Sequence, residues 1–156
     1  MISGSGRDRL EGGSGDDILD GGKSDDLLLG GSGNDRLLGR RNHDILVGGS
    51  GNDTLTGGAG KDTFVFNSPL DATDTITDFE VNKDLIDLRA IFAKSEFSGT
   101  TPFARFHQFI ELVEQGSDTE IRIDADGNGS RNDLVTLAVI QNVSVSAVKA
   151  SNFVIV

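Results

Sequence analysis

The chain has 156 residues, 25 Asp plus Glu against 14 Lys plus Arg, and no cysteine. The missing cysteines exclude a disulfide framework, a thiolate zinc site and a thiol nucleophile, and the two histidines, His43 and His107, are too few for a multi-histidine metal centre. A net charge of −11 argues against nucleic acid as a partner, which needs clustered Lys and Arg. No apolar run reaches the ~20 residues of a membrane-spanning helix, and the opening MISGSGRDRL has no apolar signal core. Glycine is unevenly spread, with 17 of its 21 copies in the first 60 residues.

Read in nines from Ser3, the chain gives SGSGRDRLE, GGSGDDILD, GGKSDDLLL, GGSGNDRLL, GRRNHDILV, GGSGNDTLT and GGAGKDTFV. The sixth place is Asp in all seven repeats: Asp8, Asp17, Asp26, Asp35, Asp44, Asp53 and Asp62. The eighth is Leu in six and Phe64 in the last, and the first two places are mostly Gly. Glycine opens positive-φ backbone, so the first six places predict a tight loop. The last three predict a short strand whose eighth residue points inward. Two repeats make one turn of 18 residues, with a strand on each side and a loop at each end. Stacked at roughly 4.8 Å, the turns bury the Leu/Phe ladder as one core. The fold class expected is all-β: a right-handed parallel β-roll over residues 3–65, capped by an antiparallel β region over 66–156.

In such a roll the Asp of one repeat lies beside the Asp two repeats on, along one edge. Stacked carboxylates repel unless a cation separates them. Carboxylates plus inward carbonyls suit Ca²⁺, which takes 6–8 oxygens in flexible geometry. Asp also caps Gly-rich loops, but a capping role does not require it at every ninth place.

The array resembles the repeats-in-toxin (RTX) family of calcium-binding nonapeptides. The resemblance implies Ca²⁺ between alternate loops, about four or five ions in all. Each would be held by the second and fourth carbonyls and the Asp of one loop, with the first and third carbonyls and the Asp of the other. Carried onto this chain, the first site is Gly4, Gly6, Asp8, Gly21, Lys23 and Asp26, and the second is Gly13, Gly15, Asp17, Gly30, Ser32 and Asp35. A third uses Gly22, Ser24, Asp26, Gly39, Arg41 and Asp44. A fourth uses Gly31, Gly33, Asp35, Gly48, Ser50 and Asp53. The fifth would be Arg40, Asn42, Asp44, Gly57, Ala59 and Asp62. It departs most from the family pattern, since Arg40 and Asn42 replace Gly and two cationic side chains stand near the ion. His43, at the variable fifth place, reads as solvent-facing.

After Phe66 the glycine density falls. Alternation over Thr75–Phe79 predicts a strand and DLIDL another, around a turn at Glu80–Lys83. This stretch is similar to the segment that follows the repeats in serralysin-type proteases, and either Asp78 or Asp84 would close the last site against Asp62. Phe92, Phe97, Phe103 and Phe106 read as core, and His107 as structural. FIELVEQ, TEIRIDA and DLVTLAVIQ predict a three-stranded meander covering the end of the roll. Asp124, Asp126, Asn128 and Gly129 match the first half of an EF-hand loop, but Val135 stands where a bidentate Glu belongs, and a plain Asp/Gly turn fits the same residues. The C-terminal region is similar to the target domain of type I secreted proteins, although Asn152 precedes the apolar tail where Asp is usual.

Three functions compete. The resemblance implies a secreted, extracellular, monomeric module that folds on binding Ca²⁺ and serves export through a type I exporter. The alternative is an extracellular polysaccharide-binding module like those of alginate epimerases, although Tyr and Trp are absent and the cations Arg7, Arg9, Arg36, Arg40 and Arg41 look scattered. Catalysis is not expected, since H-E-x-x-H and G-x-S-x-G are both missing.

Overall fold

A computed structural model describes residues 1–70, 72–93, 102–127 and 133–155. Its nine N-terminal strands are β1 (Arg9–Ser14), β2 (Ile18–Asp20), β3 (Leu27–Ser32), β4 (Arg36–Arg41), β5 (Ile45–Ser50), β6 (Thr54–Ala59), β7 (Thr63–Val65), β8 (Asp74–Ile76) and β9 (Leu85–Asp87). Odd strands stack in parallel in one sheet and even strands in the other, giving a parallel β-solenoid of about four turns with 18-residue spacing. Register follows the repeat: Leu10 pairs with Leu28, Leu28 with Leu46 and Leu46 with Phe64, while Leu19, Leu37 and Leu55 align on the other side. These residues are at most 2% exposed. The short strands predicted from the last three places run longer in β1 and β3–β6. The Gly-Gly-Ser stretch that follows keeps pairing in register with the next turn, as Gly31 with Gly49 and Ser32 with Ser50.

The roll does not stop at Val65. β8 pairs in parallel with β6, and β9 with β7. The two strands predicted around Glu80–Lys83 are therefore not a hairpin: each continues a different sheet, and the turn between them crosses the edge. Short helices α1 (Arg89–Phe92) and α2 (Pro102–Phe109) follow, then β10 (Ile110–Gln115), β11 (Asp118–Asp124) and β12 (Leu134–Ile140) in an antiparallel meander. β12 pairs in parallel with β8, so the meander prolongs the even sheet instead of lying across its end. β13 (Phe153–Val154) pairs with β9 and prolongs the odd sheet. Phe92 and Phe106 are buried as expected, with the Phe106 ring 5.0 Å from Phe153. Phe97 and the Phe103 side chain lie outside the described residues. His107 is exposed, with its ring edge-on to Phe106.

Candidate calcium site

Loops that precede odd strands gather on one edge of the roll, and those that precede even strands on the other. On the first edge Asp8, Asp26, Asp44, Asp62 and Asp84 form a column. Each backbone N–H donates to Oδ1 of the next Asp: Asp8 to Asp26 at 2.8 Å, Asp26 to Asp44 at 2.8 Å, Asp44 to Asp62 at 2.9 Å and Asp62 to Asp84 at 3.0 Å. On the second edge Asp17 donates to Asp35 at 2.8 Å, Asp35 to Asp53 at 2.7 Å and Asp53 to Asp74 at 2.9 Å. One oxygen of each accepting carboxylate is thereby fixed by the backbone. The other faces inward: Oδ2 of Asp26, Asp35, Asp44 and Asp62 is buried with no hydrogen-bond partner. Leaving a buried carboxylate oxygen unsatisfied costs several kcal/mol, so an orphan repeated at register positions implies a positive group outside the polypeptide.

The glycines of the loops border the same space. A Cβ on Gly12 would lie 2.8 Å from Asp17 Oδ2 and 2.5 Å from the Gly30 carbonyl; one on Gly39 would lie 2.5 Å from Asp44 Oδ2 and 2.6 Å from the Gly57 carbonyl. Thus the Asp of one loop and the first-place carbonyl of the next on that edge converge. Second- and fourth-place carbonyls point towards the succeeding loop, as Gly4 O towards Gly22 and Gly15 O towards Gly33. Third-place carbonyls also turn to the neighbouring loop, where Ser32 O accepts from Gly15 N and Ser50 O from Gly33 N. The cradle is made of hard oxygen donors throughout. Its chemistry fits Ca²⁺ and not a metal that prefers nitrogen or sulfur.

Burial sets the electrostatics. It pushes the Asp44 carboxyl up to about 7 and Asp62 up to about 6, and adjoining column carboxylates push the same way. Asp26 and Asp84 are raised for the same reason.

The irregular repeat at 39–47 keeps the geometry. Arg40 and Asn42 hold φ of 83° and 79°, and their carbonyls aim at Gly58 and Gly60 as the glycine carbonyls do elsewhere. The Arg40 guanidinium turns onto the flank of the roll, where Nη2 donates to Asp20 at 2.6 Å. Ser24 likewise takes φ 83°.

Of the two residues proposed to follow Asp62, Asp84 takes the column position. Its Oδ2 also accepts from Glu80 N at 2.8 Å. Asp78 instead accepts from Gly57 N and Gly58 N, capping the last repeat loop. The column partner of Asp53 is Asp74, which sequence reasoning did not single out because it lies 21 residues on instead of 18.

Also missed was an outer ladder at the fifth places. Asn34 N donates to Asp16, Asn52 N to Asn34 and Thr73 N to Asn52 on one edge; His43 N donates to Asp25, and Lys61 N to His43 Nδ1, on the other. The signal was present in the run Asp16, Asp25, Asn34, His43, Asn52, every one an acceptor. In the EF-hand-like stretch, carboxylates of Asp124, Asp126 and Asp133 lie within 4.8 Å of one another, and Asp124 accepts from Gly127 N. Asn128 and Gly129 lie outside the described residues. Asn152 is buried. Its amide nitrogen donates to the carbonyls of Val81 and Asp84, which an aspartate in its place could not do.

Comparison with known proteins agrees with this geometry. The RTX calcium-binding nonapeptide repeat family (4 copies) matches residues 2–37 and again 38–68. The AlgE6R3 subunit of the Azotobacter vinelandii mannuronan C5-epimerase shares 30% identity at a TM-score of 0.67, over 92% of this chain and 80% of that one. The AlgE6R2 subunit of the same enzyme shares 26% at 0.57, over 99% and 91%. The extracellular lipase LipA of Serratia marcescens, 21% identical at 0.62 over 95% of this chain and 21% of that one, is a likeness of fold alone. No curated protein sequence matches. With the repeats, the stacked carboxylates and these likenesses in agreement, the chain belongs to the RTX calcium-binding nonapeptide-repeat family.

Proposed function

We propose that this calcium-binding β-roll is the folding and secretion module of a type I secreted protein, disordered where calcium is scarce and structured outside the cell. The observation that carries the reading is the two columns of aspartates, in which Asp26, Asp35, Asp44 and Asp62 each have Oδ1 fixed by the backbone and Oδ2 buried with no hydrogen-bond partner. Consecutive loops on an edge share a site. The second and fourth carbonyls and Asp of one loop, such as Gly13, Gly15 and Asp17, face the first and third carbonyls and Asp of the next, Gly30, Ser32 and Asp35. Asp53 with Asp74, and Asp62 with Asp84, extend the same arrangement past the last repeat.

Calcium supplies the positive charge that lets these carboxylates sit buried and ionised. Without it the column repels itself and the glycine-rich loops lose the most backbone entropy on folding. Because the ligands converge only in the roll, binding energy is folding energy. The tail is then ordered by β13 on β9 and by the Asn152 bridges, so the region assigned to the exporter is bound into the folded roll outside the cell.

Far-UV circular dichroism tests the first step. In chelator the chain should show coil, and Ca²⁺ should drive a cooperative transition to β-structure that Mg²⁺ does not reproduce. A chain already folded in chelator would overturn the gated-folding reading. Fusing residues 1–156 or a chain truncated before Phe153 to a passenger, then assaying export by a type I exporter, tests the second step.

A second reading, an extracellular polysaccharide-binding module, is favoured by the likeness in length and fold to two subunits of a mannuronan C5-epimerase.

A further inference from the structure

The two edges of the roll carry equivalent aspartate columns but differ in their cations. Loops on the first edge, residues 3–8, 21–26, 39–44, 57–62 and 77–84, contain Arg7, Lys23, Arg40, Arg41, Lys61 and Lys83. Loops on the second edge, residues 12–17, 30–35, 48–53 and 66–73, contain no Lys or Arg at all. Apart from Arg36 in the fourth repeat, the cations of the repeats fall on odd-numbered repeats, and the solenoid brings odd repeats together. They are not there to neutralise the column, because the second edge stacks its carboxylates without them.

Two open clefts follow this edge and share Lys61. One, of about 530 Å³, is lined by Arg7, Arg9, His43 and Lys61 together with the carboxylates of Asp8, Asp25, Asp26 and Asp44, and Arg7 is paired with Asp25 at 2.6 Å. The second, of about 440 Å³, lies at the capped end and is lined by Lys61, Lys83 and Lys149, three of the chain's five lysines, with Asn82 and Ser151. Lys83 pairs with Glu80 at 2.7 Å, whereas Lys61 and Lys149 make no ion pair among the described residues. Asp84 also borders this cleft, but its carboxylate is held by the N–H groups of Asp62 and Glu80.

We infer that the first edge is a docking track for a linear carboxylated polysaccharide lying along the roll axis, anchored at the Lys61–Lys83–Lys149 cleft. This rests on the polysaccharide reading above and names the surface it would use. Successive loops present positions roughly 4.8 Å apart, a spacing that suits a polymer with one carboxylate per sugar ring. Ammonium groups on flexible stems serve such a ligand as point charges. The surrounding net charge of −11 disfavours a more densely charged nucleic acid. With no Tyr or Trp to stack on sugar rings, recognition is electrostatic and salt-sensitive.

The test is isothermal titration of the Ca²⁺-loaded chain with oligomannuronate of defined length at two salt concentrations. Lys61→Gln/Lys83→Gln/Lys149→Gln should weaken binding about tenfold and flatten the salt dependence, while Arg36→Gln, on the outer face of β4, should stay within about twofold of the parent. If the triple variant binds like the parent, the track is wrong and the polysaccharide reading survives. If the folded parent binds no oligomannuronate, both fail. Equal binding of a neutral glucan would overturn the charge-based assignment, and preference for a phosphate polymer would overturn the carboxylate one. Should the triple variant lose its calcium-induced circular dichroism, Lys149→Glu alone, on the exposed stretch before β13, must weaken binding for the track to stand.

Discussion

Residues 3–65 and residues 66–155 build the same two sheets by different means. In the repeats, Leu aligns on Leu and Asp on Asp at every 18 residues. Beyond them Leu55 aligns on Ile76 and Phe64 on Ile86, while Asp53 and Asp62 bond to Asp74 and Asp84 at separations of 21 and 22. The loops are longer and poor in glycine, yet an apolar residue still fills the core and an aspartate still stands two places before it. The roll therefore requires a residue type at a register position, and the nonapeptide is only the shortest loop that delivers it.

The core gives the largest test of that equivalence. Leu37 and Ile86 are both fully buried, one inside a repeat and one outside. Truncation of either to Ala should cost about 2–5 kcal/mol in calcium, measured by denaturant unfolding. A cost at Ile86 well below that at Leu37 would show that the post-repeat turn is an appendage and not part of one cooperative roll.

The carboxylates come next. Asp35→Ala leaves the Asp17 N–H without its acceptor and removes a carboxylate from two stacked pairs, and should cost about 2 kcal/mol with a clear rise in the calcium midpoint. Asp74→Ala removes a residue from one pair and should cost about half as much if it is a true column member. Asp8→Ala, at the partly exposed start of its column, should cost least. Equal calcium midpoints for Asp35→Ala and Asp8→Ala would sink the assignment of shared sites between alternate loops.

How much of this could be seen in the sequence follows the same division. Inside the repeats, fixed spacing made the Leu/Phe core, the aspartate columns and the alternate-loop stacking readable, because register repeats with the residues. Asp74 was hidden because a three-residue longer loop moves it out of phase. The pairing of β12 with β8 and of β13 with β9 was hidden because strand alternation shows which face is buried and not which neighbour is chosen. The shared edge of Lys61 and Lys83 becomes visible only when repeats are sorted by parity, a property of the solenoid and not of local sequence. Asn152 read as a lapse from Asp until its two carbonyl acceptors were seen.

Acidity should move the calcium-free chain in a defined direction. The folded-state values of about 7 for Asp44 and about 6 for Asp62 lie above the ordinary 3.8. Between roughly pH 4 and 7 the folded roll binds protons that the unfolded chain has released, so its stability falls as pH rises through that window. In chelator, β-structure by circular dichroism should be greater at pH 5 than at pH 8. A chelated chain that gains β-structure with rising pH would mean the columns are not buried without calcium.

The smallest effect tests whether the irregular repeat is strained. Arg40 occupies a second place at φ 83°, a conformation that glycine adopts at the same place in Gly31 and Gly49. Holding a long side chain there costs on the order of 1 kcal/mol. Its ion pair with Asp20 returns little, because the Arg40 side chain is 54% exposed and such pairs contribute only tenths of a kcal/mol. Arg40→Gly should therefore raise stability by about 0.5 kcal/mol in thermal unfolding and leave the calcium midpoint unchanged or lower, since the Arg40 carbonyl keeps its direction. A destabilised Arg40→Gly would instead assign a structural role to the Asp20 pair, making repeat 39–47 a place where a side-chain contact on the flank replaces the glycine that its neighbours use.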